Sequence, residues 1–236
     1  MSALLPLVPG QVDVWAAFVA DAFEGDVPRP HPPVLSAAEW AQHDRFVFDK
    51  DRRRYRVTRL LVRHVLSRYV GLAPADWVFE PTPFGRPTIA NRHPGVADLV
   101  FNLTHSDTLV LLGVTRGAAL GIDVEDLTRR APLDVAHGFF AADELSQLQA
   151  LPERAQPRRF FDFWTLKESY VKAHGKGLSL PLDQFAFDLR SEGRVGLEIA
   201  PALADTPARW VFRHWQPSPD SVAALCVEAG VAPLRL

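Results

Sequence analysis

The 236-residue sequence lacks the features of several common protein classes. Its one cysteine, Cys226, excludes an intrachain disulfide framework and a multi-cysteine zinc site, and it fits a reducing compartment. No stretch approaches the ~18 uninterrupted apolar residues of a membrane span, and the N-terminus lacks a basic region ahead of an apolar run. The formal net charge of -2 excludes an overall field that would attract nucleic acid or an anionic membrane. We therefore expect a cytoplasmic protein with no signal peptide, no membrane partner and no nucleic acid partner.

The composition is that of a globular protein, with 47% hydrophobic residues and enough chain for one large domain or two small ones. Apolar periodicity predicts helices at 36–48, 51–70, 134–140, 142–151 and 160–174, and strands at 77–80, 99–103, 109–115, 119–124, 185–189, 195–199, 210–215 and 222–227. Ser36 and Glu39 form a predicted capping box, residues 11–21 fit a strand or a short helix, and 109–115 should pair with 119–124 as a hairpin. Because helices and strands mix without regular βαβ alternation, we predict the α+β class.

The stretch 160–178, FFDFWTLKESYVKAHGKGL, is the most informative in the chain. Trp164, Glu168 and Lys172 recur at i, i+4 and i+8, so a helix presents them on one face, and aromatic residues surround that face. Gly175 is expected to end the helix, because glycine adopts positive φ without a Cβ clash. The arrangement indicates either a partly buried site or an ordinary i,i+4 Glu–Lys pair on a helix surface.

A pair of carboxylates follows the predicted strand 119–124, where Asp123 and Glu125 are two residues apart and so project from one face. Like charges this close repel each other unless a cation lies between them or water surrounds them, and paired carboxylates suit Mg²⁺. The alternative is a polar strand end that continues into Asp126. His105 follows another predicted strand, and a lone histidine of this kind is usually structural.

The predicted helix 51–70 is strongly basic, since residues 50–68 contain eight Lys or Arg against one Asp. Four of the arginines fall on one stripe at helical spacing: Arg52, Arg56, Arg59 and Arg63. This stripe is either a solvated face or a surface for an anionic partner. A second, apolar stripe of the same helix contains Val57, Leu61 and Val65, and Arg54 projects with it. Because a buried charge needs a counter-charge, we predict that Arg54 contacts a phosphate or a carboxylate.

Three separated stretches together resemble the signature blocks of one family: FNLTHS at 101–106, GIDVE at 121–125 and WTLKESYVK at 164–172. They are similar to those of the 4′-phosphopantetheinyl transferases, and they look most like the larger Sfp-type class. Three further stretches extend the resemblance to roughly residues 35–187: LSAAEWAQHDRF at 35–46, GRP at 85–87, similar to that class's GKP element, and HGKGLSLPLDQFAF at 174–187. Each block is short, and their order and spacing carry the resemblance.

The resemblance implies an α+β fold of two similar subdomains related by pseudo-twofold symmetry, with the active site between them. Both halves would lie on this one chain, so a monomer is expected. We place the boundary after residue 116. Residues 1–116 would be the N-terminal, CoA-binding half, and residues 117–236 the half with the Mg²⁺-binding and catalytic residues.

The resemblance also implies an activity, which is transfer of the 4′-phosphopantetheine group of coenzyme A to a serine of an apo acyl or peptidyl carrier protein. Asp123, Glu125 and Glu168 would hold Mg²⁺, or Mn²⁺, and Glu168 would take the serine proton. The residues implied in catalysis are Glu168, Lys172 and His105. Those implied in binding coenzyme A are Arg54, Arg86, Thr104, His105, Lys167 and Lys172, with the two arginines at the 3′-phosphate and adenine end.

Two other functions are compatible with these residues. Another Mg²⁺-dependent phosphoryl- or nucleotidyl-transfer enzyme would use the same carboxylates without needing the WxxKExxxK block. A nucleic-acid-binding module could use the arginine-rich helix, although the negative net charge opposes it.

Because carrier proteins are acidic around their modified serine, we hypothesise that Arg56, Arg59 and Arg63 lie near the carrier-binding surface.

Overall fold

The computed structural model describes residues 4–8, 10–22, 34–191 and 193–230, and the chain divides into two compact units. The first unit reaches Ala118 and the second begins at Ala119, close to the boundary placed after residue 116. None of the helices in the described ranges combines the length and the apolar character that are needed to cross a membrane.

The elements follow the chain in this order. The first unit contains β1 (Val12–Phe18), α1 (Val19–Ala22), α2 (Ala37–Asp44), α3 (Asp49–Leu66), β2 (Phe79–Pro81), β3 (Pro87–Ile89), β4 (Leu99–His105) and β5 (Leu109–Arg116). The second contains β6 (Leu120–Asp126), α4 (Ala136–Phe139), α5 (Ala142–Gln149), α6 (Gln156–His174), β7 (Phe185–Asp188), β8 (Gly196–Ile199), β9 (Trp210–Ser218) and β10 (Ser221–Glu228).

The main sheet of the first unit is antiparallel in the order β1-β5-β4, so the last strand in sequence is the central one. β5 reads LVLLGVTR, and all but its last residue are buried, as expected for a strand that is paired on both edges. α3 packs its apolar face on this sheet, where Val62 and Leu66 join Phe101, Leu112 and other side chains in one core. β2 and β3 form a separate hairpin.

The main sheet of the second unit has the order β6-β10-β9, and α6 packs against β6 and β10. The core beside α6 is aromatic, with Phe160, Phe163, Tyr170 and Phe187 all buried. α6 ends where Gly175 adopts a φ of 70°, as predicted. β7 and β8 form a hairpin of their own.

Each unit therefore runs from a first strand through helices and a hairpin to two final strands, and the final strand lies in the middle of the sheet. This common order confirms the predicted α+β class with two similar subdomains.

The predicted hairpin between 109–115 and 119–124 is wrong, because β5 pairs with β1 and β4 whereas β6 pairs with β10. The turn signal at Arg116-Gly117 is real, since Gly117 has a φ of 66° and donates its N–H to the Asp98 carbonyl oxygen. A local turn signal does not determine which strands pair. Thr115 of β5, for example, pairs with Val12 of β1, which is more than 100 residues earlier in the sequence.

The predicted capping box of α2 is confirmed, because the Ser36 N–H donates to Glu39 Oε2 at 2.8 Å and the Glu39 N–H donates to Ser36 Oγ at 3.2 Å. The helix ends at Asp44 rather than at 48, and the basic helix α3 begins two residues before its predicted start and ends at Leu66. The ambiguous segment 11–21 forms the strand β1 followed by the single turn α1.

Candidate active site

The carboxylate cluster of the second unit lies on β6 and α6. Asp123 and Glu125 are two residues apart on β6 and so project from the same face of the sheet. Glu168 and Lys172 lie one turn apart on α6. The Lys172 ammonium reaches across to β6, where Nζ lies 2.7 Å from Asp123 Oδ1 and donates to the Ile122 carbonyl oxygen at 3.1 Å. The two predicted motifs therefore meet in one cluster.

Gly121 explains how β6 and α6 come so close. A Cβ placed on Gly121 would lie 1.9 Å from the Ser169 carbonyl oxygen and 2.4 Å from the Ala173 backbone nitrogen, so no side chain fits there. Asp123 lies two residues further along β6, and Lys172 lies on the same stretch of α6. Their ion pair therefore depends on a glycine at this position. Gly121 is the first residue of the GIDVE block, but the sequence pattern did not indicate its close approach to α6.

The carboxylates of the cluster influence one another. Burial raises the pKa of Glu125 to about 7, the charges of Asp123 and Glu168 add to that effect, and Arg129 and Lys172 oppose it. Burial also raises the pKa of Glu168, with Asp123 adding to the effect and Lys172 opposing it. The negative charge of the cluster is thus only partly compensated by its basic neighbours.

The donor set of this cluster fits a hard divalent cation, because carboxylate oxygens are the ligands that Mg²⁺ prefers and a cation would relieve their mutual repulsion. Lys172 compensates Asp123 in the structure. Within the part of the chain that the structure describes, no three His, Cys, Asp or Glu side chains stand in the arrangement of a metal site. The cluster therefore fits a divalent cation by the chemical type of its oxygen donors.

Trp164 lies on the same face of α6 as Glu168 and is half-buried. Its ring stacks on Phe160 with centroids 5.9 Å apart, and Phe139 meets it edge-on at 5.9 Å. Because Phe139 is exposed, the two rings form an accessible aromatic surface one helical turn from the cluster. Glu168 and Lys172 are themselves half-buried, as expected for this face of the helix, and their role as a site stays a prediction.

Lys167 is a structural residue, contrary to its place among the residues implied in binding coenzyme A. Its side chain is fully buried, and Nζ lies 2.7 Å from Glu144 Oε2. The ammonium also donates to the carbonyl oxygens of Leu182 at 2.7 Å and Phe185 at 2.8 Å. These three contacts use all its donors, so Lys167 ties α6 to α5, to the segment before β7 and to the first residue of β7, and has none left for a ligand.

Arg54 and His105 line one cavity of about 260 Å³ in the first unit, with the rings of Phe46 and Tyr55 among its walls. The Arg54 guanidinium is held by two carboxylates: Nη2 lies 2.8 Å from Asp51 Oδ1 and Nη1 lies 2.6 Å from Asp107 Oδ1. The predicted contact of Arg54 with an anionic group is therefore confirmed, and in the structure that group is a carboxylate.

Thr104 and Arg86 take other positions. Thr104 is buried on β4, whereas His105 at the end of that strand is exposed. Arg86 follows Gly85 in the turn between β2 and β3, its Nη2 donates to the Phe101 carbonyl oxygen at 2.9 Å, and burial lowers its pKa. Neither Thr104 nor Arg86 is among the described residues that line the cavity of Arg54.

Arg63 does not lie on an exposed stripe. It is 2% exposed, its Nη2 lies 2.7 Å from Glu39 Oε2, and its Nη1 donates to the Trp77 carbonyl oxygen at 2.9 Å. Its buried side chain therefore offers no group for direct contact with a carrier protein, although the hypothesis that Arg63 lies near the carrier-binding surface stays a prediction. Arg56 and Arg59 are half-buried, and for them it also stays a prediction.

The two carboxylate partners of Arg54 were not expected from the sequence. Asp51 lies three residues before Arg54, and this spacing on a helix could have indicated the pair. Asp107 lies 53 residues after Arg54, directly behind the FNLTHS block, and no local pattern links the two.

The second unit places carboxylates beside an ammonium, and the first unit has a cavity lined by arginine and histidine. Proteins use these side chains to bind phosphate groups and the cations that accompany them. The profile of the 4′-phosphopantetheinyl transferase superfamily matches residues 119–226, and that described as 4′-phosphopantetheinyl transferase, N-terminal, matches residues 33–116.

Two relatives agree with these matches by sequence. The chain is 34% identical over 194 residues to the 4′-phosphopantetheinyl transferase HetI of Nostoc sp., covering 82% of this chain and 78% of HetI. It is 34% identical over 182 residues to the 4′-phosphopantetheinyl transferase Sfp of Bacillus subtilis, covering 77% of each. The crystal structure of holo-[acyl-carrier-protein] synthase from Neisseria meningitidis overlaps 47% of this chain and 96% of its own, with a TM-score of 0.40 and 18% identity. On the sequence matches, the chain belongs to the 4′-phosphopantetheinyl transferase family.

Proposed function

We propose that the chain transfers the 4′-phosphopantetheine group of coenzyme A to a serine of an apo acyl or peptidyl carrier protein and releases adenosine 3′,5′-bisphosphate. The observation that carries the proposal is the cluster of Asp123, Glu125, Glu168 and Lys172, inside the segment that matches the superfamily. Transfer of a phosphate-linked group depends mostly on positioning and charge neutralisation, which such a cluster can supply.

The transfer forms a bond between the serine Oγ and the β-phosphorus of coenzyme A and breaks the bond from that phosphorus to the bridging oxygen. The bridging oxygen leaves on adenosine 3′,5′-bisphosphate. Glu168 takes the serine proton, directly or through water, and its carboxylate is half-buried on the face of α6 that carries Lys172. Lys172 contacts the phosphate that is transferred, as a point charge.

Asp123, Glu125 and Glu168 would hold Mg²⁺ or Mn²⁺. The chemistry that the bound cation would supply is neutralisation of the pyrophosphate charge. In the first unit, Arg54 and His105 would contact phosphates of the nucleotide end, and their shared cavity supports this assignment. The same role for Arg86 and Thr104 rests on the family resemblance alone.

We further propose that the protein acts as a cytoplasmic monomer. The two matching segments on one chain and the single, buried cysteine support this. Nucleic acid binding through α3 is less favoured by the structure, because Arg63 is buried and Arg54 is paired with carboxylates.

The test is to incubate the protein with apo carrier protein, coenzyme A and Mg²⁺ and to weigh the carrier by intact mass spectrometry. We expect a gain of one phosphopantetheine that is abolished by EDTA and strongly reduced in Glu168→Gln. Glu153→Gln, at an exposed position ahead of α6, is the matched control and should keep the activity. A folded protein that modifies no acyl or peptidyl carrier and binds no coenzyme A would refute the proposal.

A further inference from the structure

We propose that Asp107 determines how tightly the first unit binds the 3′-phosphate of coenzyme A, because its carboxylate competes with that phosphate for Arg54. The inference rests on the proposed function, which supplies the identity of the ligand. The other residues proposed for this end of coenzyme A attract the phosphate, whereas Asp107 would weaken its binding.

The contacts of Asp107 place it between two basic side chains. Its Oδ1 lies 2.6 Å from Arg54 Nη1, and its Oδ2 lies 3.3 Å from Lys50 Nζ. Asp107 lies between β4 and β5, and Arg54 and Lys50 lie on α3. One carboxylate therefore occupies two groups that an anionic ligand would otherwise use.

The donors of Arg54 make the competition direct. A guanidinium presents its N–H groups in a planar fork that binds a phosphate through two parallel hydrogen bonds. Asp51 accepts from Nη2 and Asp107 accepts from Nη1, so both terminal nitrogens are engaged by carboxylates. Each contact uses one of the two N–H groups on its nitrogen, so a phosphate that approaches this fork from the cavity competes with both carboxylates for the same two nitrogens.

Asp107 is the carboxylate that can give way. Its side chain is 51% exposed, whereas that of Asp51 is 20% exposed and lies on the same helix as Arg54, three residues away. An exposed ion pair contributes little net free energy, so the phosphate can displace Asp107 into water. Even then, the Asp107 charge stays near the phosphate and repels it.

The size of the effect follows from Coulomb's law. A unit charge about 5 Å from a doubly charged phosphate, in water and screened by salt, changes the affinity by roughly 3- to 15-fold. Asp107→Asn keeps the shape of the side chain and removes its charge. We therefore expect this variant to bind coenzyme A about 3- to 15-fold more tightly than the wild type, and by a smaller factor at high salt.

The experiment measures the Kd of the full-length protein by isothermal titration calorimetry for coenzyme A, adenosine 3′,5′-bisphosphate and 3′-dephospho-coenzyme A. Asp98→Asn is the matched control, because Asp98 is also 51% exposed in the same unit and pairs with Arg116 at 2.5 Å. It does not line the cavity of Arg54. Asp107→Ser serves as a second variant, and thermal unfolding verifies that each variant is folded.

We expect tighter binding of coenzyme A and of the bisphosphate to both Asp107 variants, no change in Asp98→Asn, and little change for 3′-dephospho-coenzyme A. An unchanged Kd overturns the inference, and a weaker one would show that Asp107 instead holds Arg54 in place for the ligand. If the wild type and the variants bind none of the three compounds, the proposed function fails as well. Equal binding by all proteins refutes only the role of Asp107.

Discussion

Gly121→Ala is the most direct perturbation of the way the second unit assembles its carboxylate cluster. The new Cβ would lie 1.9 Å from the Ser169 carbonyl oxygen, and real Cβ contacts essentially never fall below 3.0 Å. The difference, 3.0 − 1.9 = 1.1 Å, is the least by which β6 and α6 must shift at this point. Both near contacts, at Ser169 and Ala173, are with backbone atoms, so rotation of a side chain cannot relieve them.

The expected consequence is a loss of both stability and activity. Overpacking of a core costs about 1–3 kcal/mol, which lowers the Tm of a chain of this size by roughly 2–12 °C. A displacement of about 1 Å in a catalytic site can lower the rate by ~10²-fold. Because the shift separates Asp123 from Lys172 and Glu168, kcat should fall by about that factor. The KM for coenzyme A should change less, since the residues proposed to bind its nucleotide end lie in the first unit.

The assay compares thermal unfolding with the rate of carrier modification, measured well below the Tm of the variant. Gly138→Ala is the matched control, because a Cβ at that position of α4 meets nothing within 4 Å. It should leave kcat unchanged and can raise the stability by up to about 1 kcal/mol, since alanine favours helices. A Gly121→Ala enzyme with the wild-type Tm and kcat would refute the argument that this close approach positions the cluster.

Three further outcomes are expected. Lys167→Met should destabilise the protein by about 3–5 kcal/mol in urea unfolding, because it leaves the Glu144 carboxylate buried without its cation, and neutralising Glu144 as well should recover part of the loss. Glu168→Gln should lower kcat about 10²- to 10⁴-fold without lowering the Tm, since it removes one charge from a repelling cluster; a matching loss of stability would contradict this. Burial alone would raise the pKa of Asp205, but hydrogen bonds, led by that from Trp210, lower it to about 2. Asp205 therefore contributes at most about 2 kcal/mol of stability, present above pH 4 and lost as the pH falls through about 2, and Asp205→Asn should flatten the acid limb of the stability curve.

The central helix shows how far a local pattern extends. The spacing of Trp164, Glu168 and Lys172 predicted one face, and α6 with its glycine end confirmed it. Lys167 belongs to the same motif, yet its side chain enters the core and pairs with Glu144. Helical periodicity orders side chains around an axis, but which of two neighbouring charged residues faces the core depends on what packs against the helix.

The arginine-rich helix shows the same limit. The sequence showed its basic stripe, and the inward direction of Arg54 predicted the negatively charged partner that the structure contains. The stripe could also be interpreted as a solvated face, but Arg63 is buried against Glu39, whose capping role had been recognised from its spacing to Ser36. One carboxylate performs both tasks, and only the packing of α2 on α3 reveals the second.

The sequence by itself determined the class of fold, the places of most helices and strands, the family and the carboxylates of the cluster. All of these depend on the spacing of residues along the chain, and that spacing is visible directly as apolar periodicity, helix caps and short motifs. Tertiary structure alone decided the strand partners, the burial of Lys167 and Arg63, the contact of Asp107 with Arg54 and the close approach at Gly121. These depend on residues far apart in sequence, and whether a charge is buried, paired or exposed is set by the neighbours that folding brings to it.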